Sequence, residues 1–278
     1  MRSSNRPRRA FAAIITGAVL IAGTVFGASS ATAAPALPGS MAALGDSITQ
    51  GTMTCSALFS CPTNSWSTGS TTSVNSHASR LRAAGAPLAA VYNDAVISST
   101  SAALPGQADS AIAQKAQYVT IEIGANDACT KTVAGMTPTA TYAANVQTAL
   151  AKLGATGTQI FVASVPNLLR MYELNKSSLS ARLAWATLGV CQSLLANPSS
   201  TAAADVARRN AVQQRVSEYN AVLEQACKVT ANCRFDGYAV ANYAFAKSDI
   251  STRDYFHPSL AGQATLASIT WPRTQWAS

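Results

Sequence analysis

The chain has 278 residues, a formal net charge of +8, six cysteines and only two histidines. Four of the positive charges are arginines within the first forty residues, which contain no acidic residue, so the remaining chain carries a net charge near +4. This mild charge, without a Lys/Arg cluster of the kind that binds phosphates, excludes nucleic acid as the main partner.

The beginning of the chain has the pattern of a secretory signal peptide. A basic start precedes an uncharged apolar run over residues 11–28 and a small-residue cleavage pattern at residues 31–33. We therefore expect a signal peptide at residues 1–34 and one domain at residues 35–278, secreted and without a stable membrane anchor. The apolar run is nearly long enough to span a bilayer, so a retained anchor is the alternative. The arginine pair at residues 8–9 faintly resembles a twin-arginine export signal.

The rest of the chain alternates short apolar runs with helical patterns. Strands are predicted at residues 41–44, 89–96, 118–123, 159–165 and 234–236, and helices at residues 74–84, 107–117, 139–153, 202–227 and 259–269. Strands that alternate with helices are typical of βαβ units, so the pattern predicts an α/β fold with a parallel sheet. The Ser-, Thr- and Asn-rich residues 51–76 predict a loop over the end of the first strand.

A serine follows that first strand in the sequence Gly45-Asp46-Ser47, which would place it at the carboxyl edge of the sheet, where open α/β proteins build their sites. A serine is a weak nucleophile unless a base takes its proton. His257 is the better candidate base, because Asp254 lies three residues before it and Pro258 disfavours a helix there. His77 is the alternative base. No carboxylate lies near it in sequence, so we expect an exposed or half-buried helix histidine.

Three short motifs in this order resemble a known family. Gly45-Asp46-Ser47, Gly124-Ala125-Asn126-Asp127 and Asp254-x-x-His257 resemble three of the four sequence blocks of the GDSL, or SGNH, hydrolases, and they span nearly all of residues 35–278. The fourth block corresponds to residues 92–99, where Ser98 replaces the family's glycine. The resemblance implies a three-layer α/β/α sandwich with a five-stranded parallel sheet, similar to flavodoxin, and no cofactor or metal.

The same resemblance implies a role for each motif residue. The catalytic residues would be Ser47 as nucleophile, His257 as general base and Asp254 as its partner, and the oxyanion donors would be the backbone N–H groups of Ser47 and Ser98 and the side-chain amide of Asn126. An ordinary turn after a strand is the alternative interpretation of Asn126-Asp127. We expect Asp46 and Asp127 to be structural residues that cap nearby backbone amides.

An even number of cysteines in an exported chain predicts disulfides. The six are Cys55, Cys61, Cys129, Cys191, Cys227 and Cys233. Fifteen pairings are possible. Local loop closure favours Cys55–Cys61 and Cys227–Cys233, which leaves Cys129–Cys191. No Cys-x-x-Cys pair occurs, so a zinc site is not expected.

Together these patterns predict a secreted carboxylic ester hydrolase, an esterase or lipase, that acts as a monomer on a small ester or lipid. Substrate choice is expected to depend on the loops at residues 52–76 and 168–200, and apolar residues in the second loop favour acyl chains. Residues 168–191 could form a lid or an acyl-binding wall, but we favour a helical insertion with its own core contacts. One alternative is an esterase acting on acetylated polysaccharide. The other is a non-catalytic secreted binding domain of the same fold, supported only by the replaced glycine.

Overall fold

The computed structural model describes Met1, Ala10 and residues 34–56 and 59–277. The predicted signal peptide of residues 1–34 lies outside the described residues, apart from Met1, Ala10 and Ala34. Within the described part, five strands form one sheet in the order β2-β1-β3-β4-β5, and every neighbouring pair is parallel. The strands are β1 (Ser40–Gly45), β2 (Ala90–Asn93), β3 (Tyr118–Glu122), β4 (Gln159–Val162) and β5 (Cys233–Phe235).

The helices follow the sequence signals closely. In the described part they are α1 (His77–Ala83), α2 (Leu104–Ala113), α3 (Ala125–Ala128), α4 (Thr139–Gly154), α5 (Leu168–Asn175), α6 (Leu179–Leu188), α7 (Gln192–Leu195), α8 (Ala203–Lys228) and α9 (Leu260–Thr270). Ser76 and Ser259 cap α1 and α9 by accepting backbone N–H bonds. Helix α2 starts earlier than predicted because Pro105 fits a first helical turn, where no N–H is needed.

Helices cover both faces of the sheet. Helices α2, α4 and α8 pack side by side on one face, and α2 packs on β1. On the other face, His77 of α1 bonds both Tyr118 of β3 and Thr270 of α9. Right-handed crossovers that run in opposite directions from the middle of the sheet place the helices in this way. The predicted three-layer sandwich with a five-stranded parallel sheet is confirmed, and residues 34–278 form one compact unit.

Two predicted disulfides are present and the third is not. Cys129–Cys191 joins the end of α3 to the start of α7, and Cys227–Cys233 joins α8 to β5. Cys61 keeps a free thiol, so the predicted Cys55–Cys61 bond is absent from the described structure. Cys61 is buried at the start of a 3-10 turn, where its sulfur lies 3.4 Å from the Asn64 side-chain nitrogen. Local spacing alone could not reveal this inward orientation.

No helix in the described ranges is both long enough and apolar enough to cross a membrane.

His77 is fully buried, which corrects the expectation of an exposed or half-buried side chain. Its ring packs among Trp66, Phe161 and Trp271. Thr270 gives its own proton to a helix carbonyl, so Nε2–H of His77 donates to Thr270 Oγ1 at 2.8 Å, while Nδ1 accepts from the Tyr118 hydroxyl at 2.9 Å. A neutral ring satisfies both bonds. Burial, with a smaller effect of Arg80, lowers the pKa of His77 to about 3.

This burial predicts an acid-sensitive fold. The folded-state pKa of His77 is about 3 against an ordinary 6.5, so the unfolded chain binds the extra proton first and stability falls as pH drops below 6.5. A His77→Gln variant cannot titrate there. When the pH is lowered from 7.5 to 4, the unfolding free energy of wild type should therefore fall by about 3 kcal/mol more than that of the variant. Urea unfolding of both proteins at the two pH values measures this, and an unchanged difference would contradict the assignment.

Candidate active site

The position of Ser47 is set by the end of β1. Gly45 has a φ of 142°, and a Cβ at this residue would lie 2.1 Å from the carbonyl oxygen of Glu122 on β3. Only glycine allows so close an approach. Gln107 of α2 holds the Gly45 backbone by accepting its N–H at 2.8 Å and donating to its carbonyl at 2.9 Å. The chain therefore turns at a fixed point, and Ser47 follows at the carboxyl edge of the sheet.

The turn that carries Ser47 is braced on both sides. The Asp46 carboxylate accepts the Ile48 N–H at 2.9 Å, as expected for a capping residue, and the Ser47 carbonyl accepts the Thr52 N–H at 3.0 Å. From α9, Gln263 donates to the Ile48 carbonyl at 2.7 Å. Ser47 itself is only 5% exposed. The residue that follows the serine is thus tied to α9.

A second loop, residues 254–257, presents the imidazole. The Asp254 carboxylate is buried and accepts the backbone N–H groups of Phe256 at 3.0 Å and His257 at 3.1 Å, and its other oxygen makes a short contact with His257 Nδ1. Between them, Tyr255 has a left-handed φ of 55° and its carbonyl accepts the Trp185 indole N–H at 3.3 Å. The carboxylate therefore fixes both the shape of the loop and the orientation of the ring. Asp254 and His257 lie on one loop, as predicted.

These two loops meet although they are 210 residues apart in sequence: His257 Nε2 lies 2.8 Å from Ser47 Oγ. The result is a continuous hydrogen-bonded row from Ser47 through His257 to Asp254. With Nδ1–H donated to the carboxylate, Nε2 is free to accept the serine proton. The His257 side chain is 15% exposed, so the row opens to solvent at the ring while Asp254 stays buried.

Asn126 lies beside this row. Its side-chain Nδ2 donates to Asp46 Oδ2 at 3.2 Å and to the Ser99 carbonyl at 3.0 Å. Ser98 adopts a left-handed φ of 67°, the conformation that glycine takes most readily, although it is a serine. Among the residues that the structure describes, the backbone N–H groups of Ser47 and Ser98 have no hydrogen-bond acceptor. The two unpaired backbone donors therefore lie on segments that Asn126 joins around the serine, and both hydrogens of the Asn126 amide are already engaged by Asp46 and Ser99.

Asp127 anchors the segment that contains Ser98. Its carboxylate accepts the Ser101 N–H at 2.8 Å and the Ser101 hydroxyl at 2.7 Å. This matches the expected capping role, and it joins the segment after β2 to the turn after β3. Burial raises the pKa of Asp127, and the two bonds from Ser101 oppose that shift.

A buried pair of acids lies behind the serine. Burial is the main cause that raises the pKa of Asp46 to about 7, and the Ile48 N–H and the nearby imidazole partly oppose it. Glu122 is also fully buried, and neither of its side-chain oxygens has a partner within the described structure. Burial raises the pKa of Glu122 well above its ordinary value, and repulsion from Asp46 and Asp236 adds to the shift.

Sequence reasoning missed Glu122 and the two glutamines that hold the serine turn, Gln107 and Gln263. The only sequence signal was for Glu122, a carboxylate at the end of a β-branched strand, directly before Ile123. His77 is not part of the site. It contacts the first residue of β3, and the register places the end of β1 four residues further along, about 13 Å away. No group of three potential ligand residues within the described ranges could hold a metal.

The insertion at residues 168–191 contains α5 and α6 and has its own core contacts. Leu168, Met171 and Tyr172 are buried on α5, and Trp185 is buried on α6. This agrees with the favoured interpretation of a helical insertion. Its link to the site is the bond from Trp185 to the loop of Asp254 and His257.

The strand order β2-β1-β3-β4-β5 is that of a flavodoxin-like sheet. A sequence model of the GDSL-like lipase/acylhydrolase family matches residues 43–265, and the chain belongs to this family. It is therefore a carboxylic ester hydrolase, which leaves the non-catalytic alternative without support.

Comparisons with solved structures agree on the fold. A catalytic mutant of Axe2, an acetylxylan esterase from Geobacillus stearothermophilus, has 17% identity and a TM-score of 0.55, covering 86% of this chain and 95% of that one. LAE5, an alpha/beta hydrolase enzyme from the metagenome of Lake Arreo, Spain, has 16% identity and a TM-score of 0.54, with coverages of 86% and 96%. TesA has 18% identity and a TM-score of 0.50, covering 84% and 97%. No match is found among curated protein sequences.

The buried Glu122 predicts a pH-dependent cost to stability. Because its pKa is raised in the folded state, the unfolded chain ionises first, and stability is lost as pH rises above the ordinary value of 4.5. Glu122→Gln removes this titration. The stability of the variant minus that of wild type should therefore be larger at pH 8 than at pH 4, and urea unfolding measures this difference. The same stability difference at both pH values would show that Glu122 ionises as readily in the folded protein as in the unfolded chain.

Proposed function

We propose that the protein is a secreted serine esterase or lipase in which Ser47 is the nucleophile, His257 the general base and Asp254 the residue that orients the base. The observation that carries this proposal is the unbroken row of contacts from Ser47 Oγ through His257 to the Asp254 carboxylate. All of these side chains come from one chain, so a monomer suffices.

The reaction would proceed in two steps. His257 Nε2 takes the Ser47 proton as Oγ attacks the ester carbonyl, and the protonated ring then gives that proton to the leaving alcohol. Water, activated by the same nitrogen, hydrolyses the acyl-enzyme and releases the carboxylic acid. Asp254 holds the tautomer that keeps Nε2 available and stabilises the charged ring, while its two backbone bonds keep the loop in place.

The negative oxygen of each tetrahedral intermediate would be bound by the N–H groups of Ser47 and Ser98 and by the Asn126 amide. Two observations support this assignment. The two backbone N–H groups have no acceptor among the residues that the structure describes, and Ser98 has the left-handed φ expected of the family's glycine. Each such donor typically lowers the barrier by about 3–4 kcal/mol. Asp46 and Ser99 accept both hydrogens of the Asn126 amide and set its orientation, so Asn126 would exchange one of these bonds for the bond to the negative oxygen.

We further propose export of the chain, with residues 1–34 removed as a signal peptide and residues 35–278 remaining as the hydrolase domain. The two disulfides support an oxidising compartment.

An acyl-chain ester is the substrate class that we favour. Helix α6 contacts the loop of His257 through Trp185, and the same helix exposes Leu179, Leu183 and Leu188. Leu179 and Leu183 lie one turn apart on one face of this helix, and such an exposed apolar pair suits a hydrocarbon chain. An acetylated polysaccharide is the second candidate, because Axe2, which shares the fold, is described as an acetylxylan esterase.

The catalytic assignment predicts graded losses of activity on p-nitrophenyl butyrate. Ser47→Ala and His257→Ala should each lower kcat by roughly 10⁶-fold, while Asp254→Ala should lose less, roughly 10⁴-fold, because the ring remains present without its partner. Ser110→Ala, an exposed serine on α2, is the matched control and should keep full activity. Activity that survives in Ser47→Ala, or an equal loss in all three variants, would refute these roles.

The substrate class can be separated by comparing p-nitrophenyl acetate, butyrate and octanoate with acetate release from acetylated xylan. We expect kcat/KM to rise with chain length, and Leu183→Ser to lower it several-fold for octanoate only. Val229→Ser, which changes another exposed apolar residue on the surface, should have no effect. Faster acetate release from xylan than from any acyl ester would favour the polysaccharide instead.

A further inference from the structure

A cavity lies apart from the serine site. It has a volume of about 360 Å³, lies among α5, α6 and the start of α8, and its wall includes Leu169, Tyr172, Lys176, Arg182, Pro198 and Arg209. None of Ser47, Asp254 and His257 lines it. The mechanism proposed above makes no use of this cavity.

Arg209 is the most unusual group in the cavity wall, because it is a charged side chain that is only 4% exposed. Its guanidinium carbon lies 4.8 Å from the centre of the Tyr172 ring, and its Nη2 donates to the Ser200 carbonyl at 2.7 Å. Its Nη1 is buried and has no acceptor in the described structure. A buried cationic donor without a partner is costly, so this nitrogen is suited to an anionic ligand.

The charges around the cavity favour an anion that is singly charged. Lys176 and Arg182 add two positive groups, and Glu173 is the one acid in the wall, paired with Lys176 at 2.5 Å. Helix α8 begins at Ala203 without a side-chain cap, and Thr201 and Val206 on either side of this start line the cavity, so the positive end of the helix adjoins it. Its first-turn acid, Asp205, is already paired with Arg208 at 3.0 Å. One carboxylate near Glu173 is tolerated more easily than a doubly charged phosphate.

The uncharged part of the wall is partly polar, with Ser177, Ser199, Ser200, Thr201 and Asn210, and partly apolar. Leu169, Pro198 and Val206 line the cavity together with the Tyr172 ring. A guanidinium pairs well with the planar carboxylate group, and the apolar wall suits a short hydrocarbon body. We propose that this cavity is a binding site for a small organic carboxylate, held by Arg209 with Lys176 and Arg182. The acid released by ester hydrolysis belongs to this class, although the site does not depend on Ser47 being the nucleophile.

The fluorescence of a tryptophan near the cavity should respond to ligand binding. The Tyr172 ring that supports Arg209 packs against Trp185, with ring centres 6.3 Å apart. An anion that displaces or orders the Arg209 guanidinium should therefore alter the emission of Trp185. A Trp185→Phe variant identifies the part of the signal that comes from this residue.

The test is calorimetric titration of the full chain with sodium butyrate at low ionic strength, using butyramide as the uncharged isostere and inorganic phosphate as the alternative anion. We expect one saturable butyrate site per chain, no binding of butyramide and weaker binding of phosphate. Arg209→Lys should weaken butyrate binding at least tenfold, and Arg182→Gln, which changes a half-buried side chain, several-fold. Arg273→Gln, an exposed arginine far along the chain, should have no effect.

Protein whose Ser47 has reacted with a phosphonate separates this site from the ester site, because the adduct blocks the ester site while butyrate should bind the cavity as tightly as in unreacted wild type. The proposal is overturned by the absence of saturable butyrate binding, or by equal affinity in wild type, Arg209→Lys and Arg182→Gln. It is also overturned if phosphate binds more tightly than butyrate, or if reaction of Ser47 with a phosphonate abolishes binding. Esterase activity is not the readout, so a failure here leaves the catalytic assignment intact.

Discussion

The close approach of β1 and β3 at the carboxyl edge of the sheet is the constraint on which the site depends. The Gly45 backbone lies so near the Glu122 carbonyl that no side chain fits between them. Gln107 then holds the same peptide from the helix layer. The chain leaves the sheet in one direction, and the Ser47 hydroxyl reaches a ring carried by the far end of the chain. The parallel sheet thus brings Ser47 to the carboxyl edge, where it contacts His257, 210 residues away in sequence.

The second half of the site depends on a single carboxylate. Asp254 accepts two backbone N–H bonds from its own loop as well as the ring N–H of His257, so loop shape and ring orientation cannot change separately. Trp185 supports the loop from α6, an element of the insertion. This arrangement explains how a loop near the chain terminus can hold an imidazole within hydrogen-bond distance of Ser47. Rigidity here comes from hydrogen bonds rather than from a regular element.

Much of this could be predicted from sequence because motifs and strand periodicity carry direct structural meaning. The parallel sheet followed from alternating apolar runs, and the meeting of Ser47 with His257 followed from motif order. Residues that act through the backbone of a distant segment, such as Gln107 and Gln263, leave no periodic signal. His77 was misjudged because its partners, Tyr118 and Thr270, are 41 and 193 residues away. Cys61 was misassigned for a related reason, since spacing says nothing about the direction of a side chain.

Covalent labelling of the serine shows whether His257 activates Ser47. The protein would be exposed to a serine-reactive alkyl phosphonate and examined by intact mass and peptide mapping. We expect one adduct, on Ser47, in the wild-type protein and no adduct in His257→Ala. An adduct on another serine, no adduct on the folded protein, or equal labelling of the variant would contradict it.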